Sequence, residues 1–139
     1  MPRARRPKED LARIGLAFDV AVAQAHAECH PDDLDALRAL AYAYTACGRL
    51  EEALVADRRL VEAAPDRSDL RYDLACSLAL LDRRDEAFEE LGRAVDLGFL
   101  DREQLLEDPD LVNLRRDGRW PDLLSRVPED AEDEDPAAE

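Results

Sequence analysis

The chain has 139 residues, enough for one domain, and a net charge of −15. That charge excludes nucleic acid as a partner, because the body of the chain offers no basic stripe to offset phosphate repulsion. Apolar residues make up 46% and charged residues 38%, much of the apolar share is Ala and Leu, and glycine is scarce. This is the composition of long helices, and no sustained alternating run with turn dipeptides argues for strands.

The charge is uneven along the chain. Arg3, Arg5, Arg6 and Lys8 make residues 1–8 a basic tail that is expected to be disordered. Residues 128–139 carry seven carboxylates, include Pro136 and lack aromatics, so they are expected to be a second, acidic disordered tail. The domain between them, 9–127, stays acidic without that tail. No apolar run approaches 18 residues, so no membrane span is predicted. The basic start lacks the short apolar segment of a signal peptide, which makes the cytoplasm the expected location. Cys29, Cys47 and Cys76 are odd in number and lack CxxC spacing, so neither a disulfide framework nor a zinc site is indicated.

Taken in order, the first helix is predicted over residues 9–29. Leu11, Ile14, Phe18, Val22 (or Ala21), Ala25 and Cys29 recur at three- and four-residue steps and form its expected inward stripe. It stops at His30-Pro31, since the residue before proline resists the helical conformation. Asp32 or Asp33 caps the next helix, 33–47, whose inward residues are Leu34, Leu37, Leu40, Ala41 and Tyr44. Gly48 ends it where a left-handed residue is needed. A helix over 50–63 follows, and the short turn between the two allows only an antiparallel hairpin. The second hairpin pairs a helix at 67–81, capped by Asp66 or Ser68, with one at 84–97. Its turn uses Asp82, which tolerates the left-handed conformation better than most residues. Gly98 closes it.

A shift of 34 residues superposes much of the first hairpin on the second: Leu40-Ala41 on Leu74-Ala75, Tyr44 on Leu78, Gly48 on Asp82, Ala53 on Ala87 and Val61 on Val95. A helix–turn–helix period of this length predicts a solenoid. After Gly98 the period breaks. Asp101 through Gln104 reads as a capping box, Asp108-Pro109 as a second helix start, and Trp120-Pro121 as a third. Trp120, the only Trp, is expected to plug the end of the core beside Leu111, Leu114 and Leu124; an exposed contact is the other reading. The predicted fold is all-α: a short antiparallel helical-hairpin solenoid with about five main helices plus short C-terminal capping helices. Its parts are an N-terminal helix (9–30), two hairpins (33–65 and 67–98) and a cap (99–127).

These residues resemble the tetratricopeptide repeat over roughly 34–98. Leu37, Leu40, Ala41, Tyr44, Gly48, Leu50, Ala53, Leu60 and Pro65 sit at the family's signature positions, and Leu74, Ala75, Leu78, Ala87, Leu91 and Ala94 match in the second unit. Arg71 and Asp82 depart from the usual aromatic and glycine, and Phe99 stands where proline is usual. The segment from Leu74 through Leu124 is similar to the terminal repeat-plus-cap found in some bacterial members. The resemblance implies a concave groove lined by Asp35, Arg38, Tyr42, Thr45, Asp69, Tyr72, Cys76 and Ala79. Exposed Tyr and Arg suit a peptide or a partner helix; the competing reading is that Tyr42 and Tyr72 only pack against neighbouring helices. The family's clamp for the C-terminal carboxylate of heat-shock chaperones is not reproduced in this groove.

Chemistry-bearing motifs are few. His26 and His30 lie four apart with Cys29 between them, a weak candidate transition-metal site; a cationic imidazole in the last helical turn also suits the helix dipole. Cys47 and Cys76 read as small apolar residues. Glu51-Glu52 and Glu89-Glu90 read as solvent-facing charge. No phosphate loop, HExxH motif or Ser/His/Asp set appears, so no enzyme and no cofactor are expected. The expected function is a non-enzymatic protein-interaction module or adaptor for a protein or peptide of basic character. Self-association into a homo-oligomeric scaffold, a small secretion-type chaperone and, remotely, metal binding are the alternatives.

Overall fold

Proline and the left-handed turn residues decide where the helices of this chain stop. In the computed structural model, which describes residues 7–129 and the side chains from residue 15 onward, the described chain is all-α and contains no strand. Five main helices come first: α1 (Pro7–Cys29), α2 (Leu34–Ala46), α3 (Leu50–Ala63), α4 (Ser68–Leu80) and α5 (Arg84–Asp96). The short elements follow: α6 (Arg102–Glu107), a 3-10 turn (Pro109–Leu111), α7 (Val112–Arg115) and α8 (Trp120–Ser125). No described helix is long and apolar enough to cross a membrane. The expected disordered tails fall mostly outside the described residues. Within the basic one, α1 starts at Pro7 and not at residue 9, which suits proline's fixed φ at a first helical position.

The turns follow local chemistry. Asp33 caps α2, its Oδ1 accepting from the amides of Asp35 (3.0 Å) and Ala36 (3.3 Å). Gly48 takes φ 74°; its amide donates to the Thr45 carbonyl, and the Arg49 amide to that of Tyr44. Thirty-four residues on, Asp82 takes φ 56° and the same pattern recurs, Asp82 to Ala79 and Arg83 to Leu78. Both are Schellman endings, which satisfy carbonyls the helix cannot pair itself. Helices α2 and α4 begin 34 residues apart and end 34 residues apart. The N-terminus of α4 differs from expectation. Arg67 holds the N-cap position without a side-chain capping bond to a helix amide, and Ser68 is already helical.

The chain falls into two compact units, Met1–Leu60 and Val61–Glu139, divided within α3. In the first, α1 packs on α2, and Val20, Leu37, Leu40, Ala41, Tyr44, Ala53 and Leu54 are buried. The face α1 turns inward is not the predicted one. Val20 is 2% exposed and Leu16, Ala23 and Ala27 are half-buried, whereas Phe18 is 68% and Val22 52% exposed, and Ala25 and Cys29 are exposed with them.

In the second unit α4 packs along α5, and the 3-10 turn lies on α4. Leu70, Leu74, Leu78, Leu91, Leu105, Leu111 and Leu114 are buried, together with Trp120, Leu123 and Val127. Trp120 is therefore core, as expected, but Leu123 is buried in place of Leu124, which is half-buried. Glu90, read from sequence as surface charge, is buried. It pairs with Arg71 of α4 at 3.0 Å and with Arg93. Arg71 also donates to the Pro65 carbonyl, so it supplies a charged tie between α4 and α5.

Candidate functional site

The eight predicted groove residues divide into two groups with different fates. Asp35, Arg38, Tyr42 and Thr45 recur at three- and four-residue steps along α2, away from its buried face. Asp35 is exposed, Arg38 and Thr45 are half-buried, and Tyr42 is 51% exposed. The Arg38 guanidinium lies 5.4 Å from the centre of the Tyr42 ring, within cation–π range. Thr45 donates its hydroxyl to the Ala41 carbonyl, which leaves its methyl group and Tyr42 as the apolar part of this surface.

The other half of the expected groove is not open. Asp69 is half-buried and paired with Arg67 at 2.7 Å. Tyr72 (3% exposed), Cys76 and Ala79 are buried, which corrects their placement on an open surface. The cause is the C-terminal cap. The Tyr72 phenol donates to Asp108 Oδ2 at 2.5 Å, and the Cys76 thiol approaches the same oxygen at 3.8 Å. Phe99 stacks on the Tyr72 ring, centroids 4.3 Å apart. Asn113 Nδ2 donates to the Ala79 carbonyl at 2.7 Å and to Asp82 Oδ1 at 3.0 Å, so the end of α4 is satisfied from the cap.

Burial governs the chemistry of this lock. It pushes the Tyr72 phenol and the Cys76 thiol up, and the neighbouring Asp108 carboxylate adds to both shifts. Burial also raises Asp110, with Asp108 again contributing. Cys76, Asp108 and Asp110 bring potential ligand atoms within 4.8 Å of one another. Yet Asp108 Oδ1 accepts from the Asp110 amide while Oδ2 serves Tyr72 and Cys76. The trio is a hydrogen-bonded lock, and a thiol held protonated is a poor metal ligand and a poor nucleophile.

That difference is measurable. With a thiol reagent at pH 8, exposed Cys29 is expected to be labelled in the folded chain, and Cys76 only on unfolding. Rapid labelling of Cys76 in the folded chain, read by mass spectrometry, would show that the cap does not seal α4.

The weak metal candidates behave differently. His26 and His30 stack their rings at 4.5 Å, and His30 Nδ1–H donates to the His26 carbonyl. His26, Cys29 and His30 do not converge within the 4.8 Å that Cys76, Asp108 and Asp110 meet. A cavity of about 340 Å³ opens beside them, floored by Leu37, Leu40 and Tyr44 and rimmed by Glu28, His30 and Arg59.

In the second unit the turn residues and the start of α8 share a charged cluster. Arg119 meets Asp117 at 3.0 Å and Asp85 at 2.6 Å, and its guanidinium lies over the Phe88 ring. Hydrogen bonds from Arg119 hold Asp117 down at about 2. Three further arginines donate to helix-end or helix carbonyls: Arg102 to Leu124 and Val127, Arg115 to Leu105 and Asp108, and Arg126 to Gly92. These contacts fasten the cap to the rest of the second unit.

Asp108, Phe99 and Asn113 were missed as partners of α4. Asp108-Pro109 was legible as a helix start, but nothing in the local pattern said that its second carboxylate oxygen reaches residue 72.

Fold and surface together define an all-α helical-hairpin protein. A scan against protein-family models, a search of curated proteins and a search of solved structures each found no match.

Proposed function

We propose that this chain is a non-enzymatic protein-interaction module of the tetratricopeptide kind, binding a peptide or helix of basic character. The observation that carries the reading is Tyr42, half exposed on α2 with Arg38 beside its ring and Asp35 and Thr45 in line with it. Tyr and Arg are among the side chains most often found as energetic anchors, and Tyr offers a large contact area at small entropic cost. The acidic balance of the chain supplies the charge preference. Affinity therefore falls as salt rises.

The test starts from partner capture in native extract, with a photoreactive cross-linker at position 42, followed by titration of the captured protein against wild type and Tyr42→Ala. The variant is expected to bind about tenfold or more weakly, with an unchanged helical circular dichroism spectrum because Tyr42 lies outside the core. Equal affinity for the two chains would remove α2 as the binding surface. Tyr72→Ala is not a groove variant, since Tyr72 is sealed beneath the cap.

A further inference from the structure

The first unit holds a cavity of about 340 Å³ that the end of α1, the inward face of α2 and Arg59 of α3 enclose. That is near the small end of the range for small-molecule sites, roughly 300–1,000 Å³. The floor is apolar, made by Leu37, Leu40 and Tyr44, and the rim carries Glu28, His30 and Arg59. Each floor residue keeps 8% exposure, whereas Leu54 and Leu60 of the same unit keep 3% and 1%. The core of this unit is therefore open where the cavity meets it. We infer that the cavity binds a free α-amino acid with a large apolar side chain, its carboxylate on Arg59, its ammonium on Glu28 and its side chain on Leu37, Leu40 and Tyr44.

The polar groups around the cavity are unspent. Tyr44 is a buried side chain whose phenolic hydroxyl has no hydrogen-bond partner among the described residues. Its ring is steadied by Arg49, whose guanidinium lies 4.8 Å from the ring centre. Such a hydroxyl in a core is normally paired, and the cavity is the open space that Tyr44 borders. Arg59 is exposed and has no ion pair or hydrogen bond among the described residues. Glu28 meets only the Gln24 side-chain amide, at 3.4 Å. Glu28 and Arg59 line one cavity, yet they form no salt bridge with each other. His30 uses Nδ1–H on the His26 carbonyl, which leaves Nε2 as an acceptor on the same rim.

This set selects a zwitterion. A guanidinium pairs with a carboxylate through two parallel hydrogen bonds, and a carboxylate and an imidazole nitrogen both accept from an ammonium. A simple anion would meet Glu28 and the field of a chain with net charge −15. A simple cation would leave Arg59 unmatched. An amino acid carries both charges on one carbon and is neutral overall, so the field does not repel it. A peptide carries its two terminal charges on different residues and does not present them together over one small cavity. None of Asp35, Arg38, Tyr42 and Thr45 lines this cavity. The inference goes beyond the α2 surface of the proposed function, and either can fail alone.

Calorimetric titration of the full chain with L-leucine is expected to show one site with a dissociation constant of about 0.1–1 millimolar, within reach of so small a ligand. Leucinamide lacks the carboxylate, N-acetyl-leucine lacks the ammonium and alanine lacks the large side chain, and each is expected to bind about tenfold or more weakly. Arg59→Gln and Glu28→Gln are each expected to weaken leucine about tenfold with no loss of helix signal, since both side chains are exposed. Arg59→Gln should leave the binding of leucinamide unchanged, because the group that it would have met is already gone. Tyr42→Ala, which tests the α2 surface, should leave leucine binding unchanged. No heat up to about 10 millimolar leucine, equal binding of leucinamide or N-acetyl-leucine, or full affinity in both rim variants would each overturn the inference.

Discussion

Trp120→Ala is expected to destabilise the second unit by about 3–5 kcal/mol, the range for emptying a large aromatic site in a packed core. Trp120 is buried, and Leu105, Leu111 and Leu114 of the same unit are fully buried. Short helices of four to six residues cannot hold themselves together, because nucleation costs more than so few hydrogen bonds return. α6, α7 and α8 therefore depend on this apolar cluster for their existence. Urea unfolding followed by circular dichroism reads the loss, and Trp120→Phe, which keeps an aromatic ring, should lose less than half as much. A second readout links the cap to α4: once the cap loosens, Cys76 should become reactive while the chain is still largely helical. A loss below about 1 kcal/mol would mean that Trp120 is not the plug of this core.

Asp108→Ala is expected to cost about 3 kcal/mol, from two separable sources. Its Oδ1 caps the 3-10 turn through the Asp110 amide, a role worth about 1 kcal/mol. Its Oδ2 accepts from the Tyr72 phenol, and losing it leaves a buried hydroxyl without an acceptor, at about 1–3 kcal/mol. The two can be told apart with Tyr72→Phe. In the wild-type background that change should destabilise, since it strips a carboxylate of its donor. In the Asp108→Ala background it should be neutral or stabilising, because the orphaned hydroxyl goes with it. Additive effects in chemical denaturation would show that Asp108 acts as a cap alone and that the bond to Tyr72 contributes nothing.

Much of the fold was legible because it is set locally. Pro31, Asp33, Gly48, Asp82 and Gly98 act within a few residues of themselves, through restricted backbone angles and short-range capping bonds. That is why the end of α1 and both ends of α3 fell where the pattern placed them, and α2 stops within one residue of its expected end. Trp120 was legible for a related reason, as the largest apolar side chain among regularly spaced leucines. The cap of α4 was misread because Asp66 and Ser68 are both good capping residues, and local chemistry alone does not rank them.

Of the eight positions that the resemblance placed in a groove, Asp35, Arg38, Tyr42 and Thr45 lie off the buried face of α2. Tyr72, Cys76 and Ala79 follow the same period on α4, yet their exposure depends on residues 99–113, and no local rule connects Tyr72 with an acceptor 36 positions away. Glu90 illustrates the same limit. Its neighbour Glu89 is exposed, and the arrival of Arg71 from another helix, with Arg93 of the same helix, compensates the burial of Glu90.

What the sequence determined by itself was the set of main helices, their ends to within about two residues, and the helical-hairpin class, all consequences of periodicity and of backbone chemistry within one turn. Which face each helix buries was left to the tertiary structure. On α1 two stripes compete, and the inward place goes to the one carrying Ala23 and Ala27, beside Leu16 and Val20, whose small residues let α2 come close. The bulkier Phe18 and Val22 are left outside, and on α4 the arriving cap turns a predicted binding face into core. Burial depends on which surfaces meet, and that is a property of the packed chain, not of any one of its helices.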